Sequence, residues 1–310
     1  MSTIRIGISG WRYTPWRGDF YPDGLVQRRE LEFASRAVSS IEINGSFYAL
    51  QTPERYANWR DDTPGDFVFS VKGPRYITHT RRLREIEEPL ANFFASGPLH
   101  LQHKLGPLLW QFPASFKLDH QLFEAFLERL PQDTNQAVQL AKGCAERLKK
   151  PGYLDIDKQR PMRHVVEIRN PDGLDGDFVK MLRQYKIALV VADTAGKWPY
   201  HEDITSDFVY MRLHGDKELY KSGYSDEALE HWKKRIKAWS SGKQPADAQL
   251  ISPDHGAPRR SCDLYCYFDN DVKVRAPYDA RALLEKLGLA GALAVTPGKP
   301  LGPEKKEAMQ

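Results

Sequence analysis

Cysteine is scarce in this 310-residue chain, with only Cys144, Cys262 and Cys266. The last two are four positions apart on a strand-like pattern. They would stand about 13 Å apart at ~3.3 Å per residue, too far for a disulfide. An odd count without a CxxC pair gives no metal framework, so all three read as buried or incidental thiols. No apolar run is long enough for a membrane-spanning helix. The opening MSTIRIGISG enters a strand pattern with no signal-peptide apolar core, which sets the expectation of a cytoplasmic protein without a membrane partner. Charge of one sign is also lacking: 45 basic against 41 acidic residues leave +4, too little to argue for nucleic acid by bulk electrostatics. No GxGxxG follows a strand, so the marker of an open dinucleotide-binding sheet is missing.

What is present is rhythm. Eight short β-type runs recur: 4–10, 40–48, 67–73, 106–113, 164–170, 187–193, 208–215 and 263–270. Most are followed by helical spacing, as in 119–130, 226–240 and 278–287, the last ending at Gly288, a C-cap signal. Trp232 and Trp239 fall at helical spacing and read as core. Alternation of this kind over about 300 residues predicts an α/β fold, a single-domain (β/α)8 TIM barrel over 1–295. Residues 296–310 are expected to be a disordered tail. A basic insert (131–163) and a polar Pro/Gly/Ser-rich connection (241–261, with Arg259 and Arg260) interrupt the rhythm without marking a domain boundary.

Period-2 alternation assigns faces. Ile41 and Ile43 suit the helix side, so Glu42 and Asn44 face inward. By the same reasoning Glu167, Arg169, Arg212 and His214 face inward, while Lys72, Gln111 and Asp193 close their strands. Charged strand ends then converge on one mouth, where barrel enzymes place their chemistry. Mutual pairing could neutralise Glu42 and Glu167 against Lys72, Arg169 and Arg212. Burying so many charges costs several kcal/mol per ion unless the geometry is excellent, which favours function for the set. Trp11, Tyr13, Trp16, Phe20, Tyr21, Phe47 and Tyr48 form an expected aromatic rim, with Arg12 and Arg17 among them. Such interleaving suits stacking beside an anion, and equally a packed loop. His79, just past the third strand, could reach the mouth. His100, His103, His120 and His231 read as packing or surface residues.

The stretches GISGWRYTPWRGDFYP (7–22), EINGSFYALQTPERYANWRDDTPGDFVFSVKGPRYITH (42–79), LGPLLWQFP (105–113), VVEIR (165–169), VVAD (190–193), YMRLHG (210–215) and YFDND (267–271) resemble the YecE-like family, domain of unknown function 72. The resemblance spans nearly the whole chain in order and implies a TIM barrel, without supplying a reaction. It carries the family's motif positions onto Trp11, Tyr13, Trp16, Glu42, Asn44, Lys72, His79, Gln111, Glu167, Arg169, Asp193, Arg212, His214 and Asn270. There are two departures. Asn170-Pro171 stands where the family usually has Ser-Trp, removing an aromatic. Asp269-Asn270 replaces paired asparagines, adding a carboxylate.

Chemically, Glu42 and Glu167 could divide into acid and base, with His214 as a proton shuttle. Lys72, Arg169 and Arg212 would orient an anionic group, and the remaining motif residues, Asn270 included, would line the pocket. The expected function is acid–base catalysis of the hydrolase or isomerase type on a small anionic or sugar-like substrate. No cofactor is expected, although Glu42, Glu167, Asp193 and His214 could hold a divalent cation. The alternative is nucleic-acid or nucleotide binding without turnover, motivated by the arginine–aromatic rim and the basic residues at 147–163.

Overall fold

The computed structural model describes residues 2–253, 261–270 and 274–299. Eight parallel strands close into a barrel in chain order: β1 (Ile4–Ser9), β2 (Ser40–Ile43), β3 (Val68–Lys72), β4 (Leu105–Phe112), β5 (His164–Ile168), β6 (Ala188–Asp193), β7 (Phe208–Leu213) and β8 (Asp263–Phe268). Each is one of the eight β-type runs. Around them lie α1 (Glu30–Ala37), α2 (Gly45–Tyr48), α3 (Pro53–Asp61), α4 (Glu87–Ala95), α5 (His120–Arg129), α6 (Thr134–Ala141), α7 (Gly176–Gln184), α8 (Asp226–Ser240) and α9 (Arg275–Leu287). The chain is an α/β TIM barrel.

Alternation along the strands divides the core in two. Ile8, Ile41, Phe69, Trp110, Val166 and Met211 join the large cluster beneath the helices. Leu109, Val165, Val190, Tyr210 and Tyr267 belong to a smaller inward cluster. Gly7 pairs with Ser40, and a Cβ there would stand 1.9 Å from the Ser40 carbonyl oxygen, so this register requires glycine. Inside the barrel, hydroxyls bond across the lumen. Tyr210 Oη lies 2.7 Å from Ser70 Oγ, and Tyr267 Oη 2.8 Å from Ser40 Oγ. These four inward hydroxyls are thereby satisfied, as burial demands.

Helix starts follow capping chemistry. Thr52, Asp119, Asp133, Asp175 and Ser225 each accept from the backbone N–H three residues on. The Asp133 cap explains α6, which lies inside the insert read from sequence as irregular. Gly288 ends α9 at φ +74°. The strand–helix alternation fails once: 194–207, between β6 and β7, carries no helix. Glu202 and Asp203 there accept backbone N–H groups of Gln249, Ile251 and Ser252, tying the polar connection 241–253 to the barrel. Arg259 and Arg260 lie outside the described residues. Of the expected tail, 296–299 are described, and Gly298 N–H donates to the Phe20 carbonyl; 300–310 lie outside. Cys144, Cys262 and Cys266 are free and buried. Among the described residues no helix is long and apolar enough to cross a membrane.

Candidate functional site at the barrel mouth

The C-terminal strand ends are organised around Arg212. Its guanidinium donates to both oxygens of Glu42 (3.1 and 2.9 Å), to Glu167 Oε2 (2.7 Å) and to Asp269 Oδ2 (2.7 Å). Glu42 also accepts from Ser9 Oγ (2.5 Å) and Tyr210 Oη (2.6 Å). With four donors on two oxygens, its acceptor capacity is filled. Glu167 takes a further bond from Arg169 Nε at 2.5 Å. Burial pushes the Glu167 carboxyl up, but Arg169, Arg212, His214 and Lys72 outweigh it and hold it well below the usual carboxylate range. Asp269 behaves alike: burial opposes, while Arg212 and His214 bring it to about 2. The two glutamates face inward, as the alternation predicts. Both share the Arg212 guanidinium as a donor.

Two imidazoles border this cluster. His214 is fully buried, with Nδ1 3.1 Å from Asp269 Oδ2. Burial and Arg212 lower its pKa against the pull of Asp269 and Glu167. His79 sits in the turn after β3, edge-on to Phe47 at 5.1 Å, with Nδ1 2.8 Å from Thr78 Oγ1. Burial, then Lys72, Arg75 and Arg169, bring it down to about 4.

On β2, β3 and β4 the pattern reverses. Lys72 Nζ meets no acceptor and no carboxylate within bonding range among the described residues. It stands 4.2 Å over the Phe47 ring. Burial, then Arg212, lower it to about 8, against Glu42, Glu167 and Asp269. Among the described residues Gln111 Oε1 and Asn44 Oδ1 are buried without a partner, although Asn44 Nδ2 donates to Ser9 Oγ at 2.8 Å. A buried amide oxygen left unbonded is costly.

Four sequence assignments are corrected. Asp193 does not enter the mouth. Ala188, Val190 and Ala192 are the inward residues of β6, so Asp193 faces outward and accepts from Tyr224 Oη at 2.9 Å. Asn270 likewise points outward, donating to Ser222 O (2.9 Å) and Asp279 Oδ2 (2.7 Å). The inward carboxylate of β8 is Asp269. Trp16 is fully buried among Phe20, Tyr21 and Tyr13. Trp11 packs against Trp59 and Phe69, on the helix side. The segment after β1 is therefore packed core rather than an aromatic rim. Tyr13 stays half-buried and donates to the Ser9 carbonyl (2.6 Å), and Arg17 pairs with Glu30 (2.7 Å).

The aromatic cover comes instead from Trp198 and Tyr220. Arg169 stacks on Trp198 at 3.5 Å, and Tyr220 lies 5.2 Å from the His214 ring. Gly215, at φ +122°, makes the turn that brings Tyr220 back; a Cβ there would meet the Glu218 carbonyl at 2.4 Å. Neither aromatic carries a periodic signal, being in a loop. With Asp193 turned away, the four residues weighed as a cation site do not converge. Among the described residues no group of three or more His, Cys, Asp or Glu could hold a metal. Half of the six basic residues at 147–163 carry ion pairs. Arg160 pairs with Asp157, Lys149 with Glu146, and Arg163 with Asp207 and Asp263.

A family model described as "Protein of unknown function DUF72" matches residues 5–304. The chain is 26% identical over 250 residues to UPF0759 protein YecE of Escherichia coli K12, covering 78% of this chain and 84% of that one. It is 31% identical over 121 residues to UPF0759 protein YunF of Bacillus subtilis, covering 36% and 41%. Among solved structures, a DUF72 family protein from Thermotoga maritima is similar at TM-score 0.69 and 23% identity, covering 92% of this chain and 99% of that one.

Proposed function

This chain belongs to the DUF72 family, and we propose that its barrel mouth binds a small anionic, hydroxylated ligand and performs acid–base chemistry on it. The observation that carries the reading is the set of unmatched polar groups on three adjacent strand ends: Asn44, Lys72 and Gln111. Beside them every mouth carboxylate is already held. A ligand oxygen on Lys72, with hydroxyls on the two amides, would supply the missing bonds. Arg169, preset by Glu167 and Trp198, would meet the anionic end. Glu42 and Glu167 would then fix the cations, while His79 and His214, both lowered by burial, would move protons.

The test is thermal unfolding with glycerol 3-phosphate, 3-phosphoglycerate or gluconate at millimolar concentration. A ligand at a hundred times its Kd stabilises by roughly 2.7 kcal/mol. The expected result is a rise in Tm with at least one compound, abolished in Asn44→Ala and Gln111→Ala. Identical shifts in the variants, or none in the parent, would sink the reading. A single-stranded oligonucleotide in the same assay addresses nucleic-acid binding, which would show as salt-sensitive stabilisation.

A further inference from the structure

Among the described residues two lysines are buried, with opposite surroundings. Lys104 donates to the Arg60 and Thr63 carbonyls at 2.5 and 2.8 Å and to Thr63 Oγ1 at 3.1 Å. Lys72, only 7% exposed, has an aromatic ring for a neighbour and no acceptor among the described residues. The carboxylates in electrostatic reach, Glu42, Glu167 and Asp269, are bonded to Arg212, and Glu167 also to Arg169. A lysine kept as a structural cation would look like Lys104. An amine largely buried, without an acceptor and opposite another cation is the arrangement that activates a nucleophile.

We propose that Lys72 is that nucleophile, forming an imine with the aldehyde or ketone of a small substrate whose anionic group rests on Arg169. The inference rests on the ligand site proposed above and narrows its substrate to carbonyl compounds. The free amine adds its lone pair to the carbonyl carbon, and the oxygen takes a proton as the nitrogen loses one. The resulting carbinolamine hydroxyl leaves as water, with one further proton supplied to it and one lost from nitrogen. Nothing is oxidised or reduced. His79, on the same Phe47 ring, is placed to relay the protons, and the Asn44 and Gln111 amides to hold the hydroxyl. With Lys72 lowered to about 8, roughly a tenth of it is free amine at pH 7. An imine withdraws electrons from the adjacent carbon, which favours isomerase- or lyase-type chemistry over hydrolysis.

The experiment treats the full chain with glyoxylate, an aldehyde bearing a carboxylate, and sodium cyanoborohydride at pH 7, followed by peptide mass mapping. Lys72 should be carboxymethylated about a hundredfold faster, or more, than an exposed lysine such as Lys180, which pairs with Asp177, from its larger free-amine fraction. Glycolate, which lacks the carbonyl, should slow that labelling and raise Tm. If glycolate raises Tm but Lys72 labels no faster than Lys180, the imine is refuted and the ligand site survives. If neither occurs, both fall. Preferential labelling at Lys72 that is absent in Lys72→Arg establishes the proposal, and mapping the parent protein reads out even where that variant fails to fold.

Discussion

Around Arg212, three carboxylates, a serine and a tyrosine hydroxyl satisfy one another at 2.5–3.3 Å. On the neighbouring ends of β2, β3 and β4, two amide oxygens, and an amine that meets only an aromatic ring, find no hydrogen-bond partner among the described residues. Both regions are buried and polar, and both lie at the same barrel end. Buried charge is tolerated when geometry is excellent, so the Arg212 cluster has a structural explanation on its own terms. The β2–β4 edge has none, since leaving polar atoms unbonded only costs stability. A fold that tolerates such a cost at one place has reserved it for something else.

The largest expected contrast comes from Arg212→Met, which strands Glu42 and Asp269 without their arginine and leaves Glu167 only Arg169. Urea unfolding should show a loss of about 3–5 kcal/mol, and a loss below 1 kcal/mol would dissolve the distinction between the two regions. Asp269→Asn comes next. The folded pKa of Asp269, about 2, is depressed below an unfolded value of ~3.9. Its contribution is therefore present above pH 4 and lost as pH falls through about 2, roughly 2–3 kcal/mol in all. The variant should be less stable at pH 7 and converge with the parent near pH 2; a pH-independent difference would rule out this origin. Tyr210→Phe, which removes one bond to Glu42, should cost about 1 kcal/mol. Smallest is Gln111→Leu, expected to leave stability unchanged or up to about 1 kcal/mol higher, because it deletes an orphaned oxygen. A loss of 2 kcal/mol would show that Gln111 is bonded in the fold.

All eight strands were legible in sequence, and so was the inward face of β2, β5 and β7, where polar and apolar residues alternate. The misreadings fall where that contrast vanishes. In Ala188–Asp193 both faces are apolar, as in any strand buried on both sides, so nothing announced that Asp193 points out. Tyr265 and Tyr267 on one face of β8 and Leu264, Cys266 and Phe268 on the other hid its parity too. That exchanged Asp269 for Asn270. The family resemblance flagged position 269 as a departure but could not say which residue turned inward. Loops were the least legible: the conspicuous aromatics after β1 are core, whereas Trp198 and Tyr220, which cover the mouth, sit in irregular segments. The unmatched state of Lys72 is a property of three-dimensional neighbours and has no sequence signal at all.

The most direct measurement is equilibrium unfolding of Lys72→Met against the parent chain at pH 7 and again near pH 10.5. The folded pKa of Lys72, about 8, lies below the unfolded value of ~10.4. Its ammonium therefore destabilises the fold fully below pH 8, and the penalty fades as pH rises toward 10.4. Methionine, similar in volume but uncharged, should stabilise the protein at pH 7 by up to about 3 kcal/mol, with the gain vanishing near pH 10.5. A variant less stable than the parent at pH 7 would mean that Lys72 holds the barrel together, and the β2–β4 edge would lose its claim to a ligand.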